Sequence, residues 1–235
     1  MWFEAMESKI THTLDEQEIR SLLRRYHYLS SSLFIAAALV LMISIFLPYW
    51  KLTLEAPQYP DGLEVNLFVN RVTGDVAEVD GLNHYIGMKP LDEAAKLERT
   101  MSIFAIISLS LITASAILVH NKWAALLSLP VLLYPLIFVA DLYFWLRLFG
   151  QNLDSTAPLS SSVEPFTQPL MGTKVIANFV TYANFGSGFY LACIGVILLA
   201  VALYTHRRNY KPLTKAIQKG SYLRQLSDTN SSDQQ

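Results

Sequence analysis

Four long stretches without a charged residue constrain this chain more than any other feature. They run from Leu33 to Trp50, from Met101 to Val119, from Trp123 to Ala140 and from Val175 to Tyr204. A bilayer core about 30 Å thick requires about 20 predominantly apolar residues for each helical crossing. The whole chain is 52% hydrophobic and only 16% charged, so the apolar excess must contact something other than water. The sequence therefore predicts a polytopic membrane protein in contact with the lipid bilayer.

The four runs divide the chain into eight predicted segments. The last run is too long for one crossing, and its apolar core is expected at 182–204. Alternation at Leu63, Val65 and Leu67 predicts a strand, with Val76–Val79 as its hairpin partner. The predicted fold is a membrane all-α bundle of four transmembrane helices with a small extracytoplasmic β-hairpin cap. The segments are a cytoplasmic helix (1–28), the first crossing (29–50), the cap (51–100), the second crossing (101–120), the third crossing (123–149), an irregular extracytoplasmic loop (150–181), the fourth crossing (182–204) and a basic, disordered cytoplasmic tail (205–235).

The orientation is predicted from the lysine and arginine residues in the flanking segments. With four crossings, eleven of them share the side of the termini and six lie on the opposite side. Because basic residues in short loops favour retention in the cytoplasm, both termini are expected to be cytoplasmic. The basic tail is interpreted as a topology signal that also attracts anionic lipid, and no nucleic-acid partner is expected.

A pair of potential metal ligands lies in the predicted cap. His84 and Met88 supply an imidazole and a thioether, a combination that suits copper(I) better than magnesium or calcium. The topology places Met101 and Met171 on the same side, where they could supply more sulfur. The alternative is that His84 hydrogen-bonds a neighbouring loop while Met88 packs at the membrane interface.

Three histidines suggest a second cofactor. His27, His120 and His206 lie near the cytoplasmic ends of the first, second and fourth crossings, at similar depths. Histidines on facing helices can hold haem b between them. Each also lies where an amphipathic side chain ordinarily marks the end of a helix, and we favour that interpretation.

Asp141 is an acidic residue near the outer end of the third crossing. A carboxylate inside a bilayer costs several kcal/mol unless it is paired or hydrated, so such a residue suggests proton or ion movement. Arg147 is six residues further on and lies on a different helical face, which makes it a poor partner. If the crossing ends early, Asp141 is interfacial, and the sequence does not separate the two possibilities.

The sequence has no motif of a hydrolase or of a phosphate-binding protein, so catalysis by this chain alone is not expected. Its single cysteine, Cys193, excludes a disulfide framework and a cysteine metal cluster within the chain.

Several motifs resemble a family of small bacterial multi-span membrane proteins. Trp50–Pro60 (WKLTLEAPQYP) and Gly81–Leu91 (GLNHYIGMKPL) carry the resemblance. The family is associated with accessory genes of copper-dependent respiration, particularly those that accompany nitrous oxide reductase. The chain departs from the pattern at Gln151, where the family leads us to expect histidine. The resemblance continues through Asp141–Trp145, Phe149–Asp154, Pro165–Pro169 and Gly172–Phe179.

The resemblance implies a protein of the bacterial cytoplasmic (inner) membrane with a non-catalytic accessory role on its extracytoplasmic side. That role is copper handling, assembly or electron delivery for a respiratory metalloenzyme, with His84 and Met88 as candidate ligands. A membrane or extracytoplasmic protein partner is expected. The competing hypothesis is a structural subunit of a larger membrane complex. An ion pathway that uses Asp141 is the third.

Overall fold

The computed structural model describes residues 16–118, 123–159, 162–176 and 178–207. Side chains are described from Tyr28 in the first helix and from Ala125 in the fourth. The C-terminal tail beyond Arg207, most of the predicted N-terminal segment and His120 lie outside the described residues. The elements in chain order are helix α1 (Glu16–Ser44), strands β1 (Trp50–Ala56), β2 (Tyr59–Leu67) and β3 (Val72–Gly74), helix α2 (Val76–Ile86), a 3-10 turn (Leu91–Glu93), helices α3 (Lys96–Ser115) and α4 (Trp123–Gln151), strands β4 (Gly172–Ile176) and β5 (Phe179–Phe185), and helix α5 (Ser187–Arg207).

Three of these helices are long and apolar enough to cross a membrane. They are α3, α4 and α5, whereas the apolar part of α1 that the structure describes, Tyr28–Ser44, is shorter. The prediction of a helical membrane protein with a small antiparallel sheet is confirmed at this level. Length and composition support three crossings among the described residues, not the four that were predicted.

The sheet is larger than the predicted hairpin. Five antiparallel strands are ordered β3-β2-β1-β5-β4, and the hairpin within the first segment joins β1 to β2. The prediction of a return strand at Val76–Val79 is wrong, because these residues begin α2. Val79, Asn83 and Ile86 are the buried residues of that helix, and their spacing of three to four residues is helical. Four residues were too few to reveal that period.

The predicted start of the fourth crossing at Tyr182 is also wrong. Residues 172–176 and 179–185 form the β4–β5 hairpin, and α5 begins only at Ser187. Thr181 and Ala183 are buried while Tyr182 and Asn184 are exposed, so a strand period lies within the charge-free run. The segment 150–181 is therefore not wholly irregular.

The sheet joins two segments that are far apart in sequence. β1 pairs with β5 from Trp50↔Phe185 to Glu55↔Val180. Apolar residues on the inner face of the sheet pack against α2 through Val79 and against α4 through Leu142. The C-terminal part of α4 therefore stands beside the sheet.

Helices α1 and α5 continue the contact between β1 and β5. A Cβ atom on Gly186 would lie 2.1 Å from the Pro48 carbonyl oxygen, and the Gly186 N–H donates to the Tyr49 carbonyl at 2.9 Å. Further along, a Cβ atom on Gly195 would lie 3.1 Å from the Leu41 side chain. Small residues thus allow the two helices to approach closely.

Candidate functional site

A cavity of about 700 Å³ lies between the end of α2, the end of α4 and the loop that follows α4. His84 and Met88 line it from the α2 side, whereas Gln151 and Asp154 line it from the α4 side. The two predicted ligands and the position at which the chain departs from the family pattern therefore share one cavity. Lys89 and Thr156 are also among the lining residues.

Gly87 brings the two walls together. It ends α2 in the left-handed conformation at φ +81°, and the Met88 N–H then donates to the Asn83 carbonyl at 2.8 Å. The Asp154 N–H donates to the Gly87 carbonyl at 2.8 Å, and a Cβ atom on Gly87 would lie 2.5 Å from the Asp154 carbonyl oxygen. Glycine satisfies both the left-handed backbone and the close approach.

His84 and Met88 differ in how their side chains are held. His84 is exposed, and its ring lies edge-on to Tyr85 with centroids 6.3 Å apart. Met88 is half-buried and packs against a cluster that includes Ile86, Val163 and Ile176. Met88 therefore packs against apolar neighbours, as the alternative interpretation expected. Those neighbours belong to the inner face of the sheet and the loop before β4.

Asp154 adds a carboxylate that the sequence analysis did not select. Its Oδ1 atom accepts hydrogen bonds from the Thr156 backbone N–H at 2.8 Å and from the Thr156 hydroxyl at 2.7 Å. These two bonds, with a smaller contribution from His84, lower the pKa of Asp154 below its usual value. The carboxylate is consequently ionised at neutral pH and gives this wall of the cavity a negative charge, whereas the α2 wall carries the cationic side chain of Lys89.

The α4 wall is fixed by a second close glycine contact. A Cβ atom on Gly150 would lie 2.1 Å from the Phe166 carbonyl oxygen, and the Phe166 N–H donates to the Gly150 carbonyl at 2.9 Å. The exposed side chain of Gln151 donates to the Thr167 hydroxyl at 3.2 Å. The end of α4 is therefore held against the loop before β4.

The other predicted ligands do not reach this cavity. Met101 and Met171 are each 54% exposed, and neither lines it. Among the described residues, no group of three His, Cys, Asp or Glu side chains is arranged to hold a metal ion. The polar side chains that share the cavity are thus one imidazole, one thioether, one carboxylate, one hydroxyl, one amine and the two amides of Gln151 and Asn152.

His206 is the one haem candidate whose side chain the structure describes. It is buried, and its ring packs edge-on against Phe34 with centroids 5.9 Å apart. The side chain of His27 and all of His120 lie outside the described residues. A pair of facing histidines is therefore not seen in the part of the chain that the structure describes.

Asp141 lies within a helix that continues for another ten residues. It is half-buried, with Glu98 of α3 and Trp145 among its polar neighbours, and Arg147 is exposed. The adjacent Leu142 packs against Trp50 and Ala183 at the base of the sheet. Asp141 therefore lies level with the point at which the chain passes from helices to strands.

The sequence contains a local signal for the turn at Asp154, but it does not reveal that this residue lies across from His84. An aspartate two residues before Thr156 is a common pattern for a turn closed by the aspartate side chain. Its position across from His84 depends on the docking of the loop against Gly87, a tertiary contact that spacing does not reveal.

No protein-family model matches the chain, and no curated protein is significantly similar to it.

Proposed function

We propose that this chain crosses a bacterial cytoplasmic membrane four times, with both termini in the cytoplasm and the sheet on the outer side. Helix α1 is the crossing that adds to α3, α4 and α5. Helix α1 and the turn that follows it run beside α5. The Ser30 hydroxyl lies 3.5 Å from that of Thr205 at one end, and the Pro48 carbonyl accepts from the Gly188 N–H at 2.9 Å at the other. Because α5 is long enough to cross, a helix that accompanies it over this length covers the same thickness.

Our proposal for its function is an accessory role in copper handling. The extracytoplasmic cavity binds copper(I) transiently. The ion is cargo that is passed to a respiratory metalloenzyme, either during its assembly or to supply it with metal. The observation that carries the proposal is that His84 and Met88 line the same cavity. Imidazole and thioether donors favour copper(I) over hard cations.

The small number of donors favours transient binding over a permanent centre. The cavity offers one imidazole and one thioether, and His84 is exposed. The ionised Asp154 attracts a cation without being a soft ligand. A site of this kind can load and release an ion, as delivery requires.

Copper(I) titration of the detergent-purified full chain against a chromogenic chelator tests the proposal. The natural chain is expected to take up one equivalent, whereas His84→Ala and Met88→Ala each weaken binding at least tenfold. Met171→Ala and Met101→Ala are matched controls, because both methionines are exposed and lie outside the cavity. Equal affinity for all five proteins, or no binding by the natural chain, would remove the copper role.

Replacement of Gln151 by histidine provides the converse test. Gln151 lines the cavity at the end of α4, opposite the α2 wall. A second imidazole there is expected to raise the affinity for copper(I) at least tenfold, because imidazole nitrogen suits copper and adds a donor to the ligand set. Gln151→Asn is the control, and no gain from Gln151→His would indicate that the two walls do not act on one ion.

Two other roles follow from different outcomes. If the chain binds no copper and co-purifies with a partner at fixed stoichiometry, it is a structural subunit of a larger complex.

An ion pathway is not favoured, because Asp141 lies 18 residues beyond Trp123, or about 27 Å along α4. That distance approaches the full thickness of the bilayer core, about 30 Å, so the carboxylate reaches the interface.

A further inference from the structure

We propose that Arg147 binds the phosphate group of an anionic phospholipid. The residue lies at the end of α4 that stands beside the sheet. The proposal concerns a surface separate from the cavity and does not depend on copper binding. It rests on the exposure of Arg147, the apolar surface on which it lies and its depth along α4.

Arg147 is an exposed cation on a helix that is otherwise almost free of charge. Its guanidinium makes no ion pair or hydrogen bond with any residue that the structure describes. Asp141 lies about 120° away around the helix axis, at 100° per residue, and so does not share its face. The charge of Arg147 is therefore not neutralised within the described part of the chain.

The face of α4 that carries Arg147 is apolar and uncovered. Its residues recur every three to four positions, which places them along one side of the helix. A continuous apolar surface on a membrane-spanning helix is the surface that contacts lipid chains. The exposed residues of this lipid-facing stripe are Leu133, Leu136, Tyr143 and Phe144.

Arg147 lies at the depth of the phosphate groups. It is 24 residues beyond Trp123, the first residue of α4, which corresponds to about 36 Å along the helix. The bilayer core accounts for about 30 Å of that length, and moderate tilt shortens the remainder. Tyr143, one turn below, then occupies the interface, where tyrosine is enriched.

The chemistry of the site favours an anionic lipid. A guanidinium can donate two parallel hydrogen bonds to phosphate oxygens. A zwitterionic headgroup brings its own ammonium group to the same position, whereas phosphatidylglycerol leaves a net negative charge to neutralise Arg147. The lipid chains can follow the lipid-facing stripe below.

Native mass spectrometry of the full chain in detergent, titrated with phosphatidylglycerol or phosphatidylcholine, tests this inference. The natural chain is expected to bind phosphatidylglycerol more tightly than phosphatidylcholine. Arg147→Gln should weaken phosphatidylglycerol binding about fivefold, the factor that one arginine near an anionic surface contributes. Arg147→Lys should bind phosphatidylglycerol more tightly than Arg147→Gln but less tightly than the natural chain, because it keeps the positive charge and loses the two parallel hydrogen bonds.

Arg71→Gln is the matched control. Arg71 lies between β2 and β3, with its guanidinium 4.2 Å from the centre of the Phe68 ring, and is not on the lipid-facing stripe. Its replacement should leave phosphatidylglycerol binding unchanged. The inference is overturned if Arg147→Gln binds phosphatidylglycerol as tightly as the natural chain does, or if inorganic phosphate displaces the lipid at equal concentration.

Discussion

At the scale of single residues, the cavity depends on Gly87 as much as on the side chains that line it. The sequence places His84 and Met88 four residues apart, but Met88 lies beyond the end of α2, where helical spacing no longer applies. The left-handed Gly87 and its contact with Asp154 decide that the two donors share a cavity with Gln151. The spacing in the sequence could predict the pair of His84 and Met88. The wall on the α4 side could not be predicted, because it depends on the tertiary contact between Gly87 and Asp154.

Gly87→Ala is expected to destabilise the fold and weaken copper binding together. The left-handed backbone alone costs a residue with a Cβ atom about 1–2 kcal/mol, and the clash with Asp154 displaces the cavity wall. Gly81→Ala is the control in the same helix, since a Cβ atom there meets nothing within 4 Å. Thermal unfolding and copper(I) titration measure the two effects.

A Gly87→Ala protein with unchanged copper affinity would contradict the role given to the two walls. The Gly81→Ala control should be neutral or slightly stabilising, because alanine is a better helix former by about 1 kcal/mol.

At the scale of elements, the charge-free runs identified α3 and α4 closely and α5 only in part. They failed at β5, because neither face of this strand carries a charge: Thr181 and Ala183 are buried on one face, and Val180, Tyr182 and Asn184 lie on the other. The pairing of β1 with β5 joins residues about 130 positions apart. No local pattern specifies such a contact, and the alternation at Thr181–Asn184 appears in the burial of the side chains rather than in their polarity, since the buried Thr181 is polar.

The junction of these strands with their helices should be intolerant of added volume. Gly186→Ala places a Cβ atom 2.1 Å from the Pro48 carbonyl oxygen, a backbone atom that cannot move without disturbing the sheet. Overpacking of this kind costs about 1–3 kcal/mol or more. A clear fall in the midpoint of thermal unfolding in detergent is expected.

Gly195→Ala provides a comparison within α5, the helix that begins directly after Gly186. The nearest atoms there belong to the Leu41 side chain at 3.1 Å, which can adjust. It should be tolerated better than Gly186→Ala, and the reverse order would show that the α1–α5 pair, rather than the strand junction, limits stability.

At the scale of the whole molecule, one buried tyrosine links three parts of the fold. The hydroxyl of Tyr49 lies 2.7 Å from that of Ser44 and accepts from the Tyr134 hydroxyl at 3.1 Å. These contacts join the end of α1, the base of the sheet and α4 in a fully buried position. The sheet and the helices are consequently expected to unfold as one unit, with the cavity held rigidly above them.

The proposed number of crossings has a direct test in intact cells. With Cys193 replaced by alanine, single cysteines at Glu64 on β2 and at Glu4 near the N-terminus report the two sides. An impermeant maleimide should label position 64 in intact cells and position 4 only after permeabilisation. Labelling of position 4 in intact cells would mean that α1 does not cross and that three crossings remain.

X-ray absorption at the copper edge, on the copper(I)-loaded full chain, identifies the atoms that bind the ion. Both a nitrogen and a sulfur neighbour are expected, with the sulfur lost in Met88→Leu and the imidazole signal lost in His84→Ala. A spectrum without sulfur, or one that Met88→Leu and His84→Ala leave unchanged while Met171→Ala alters it, would contradict binding in the cavity.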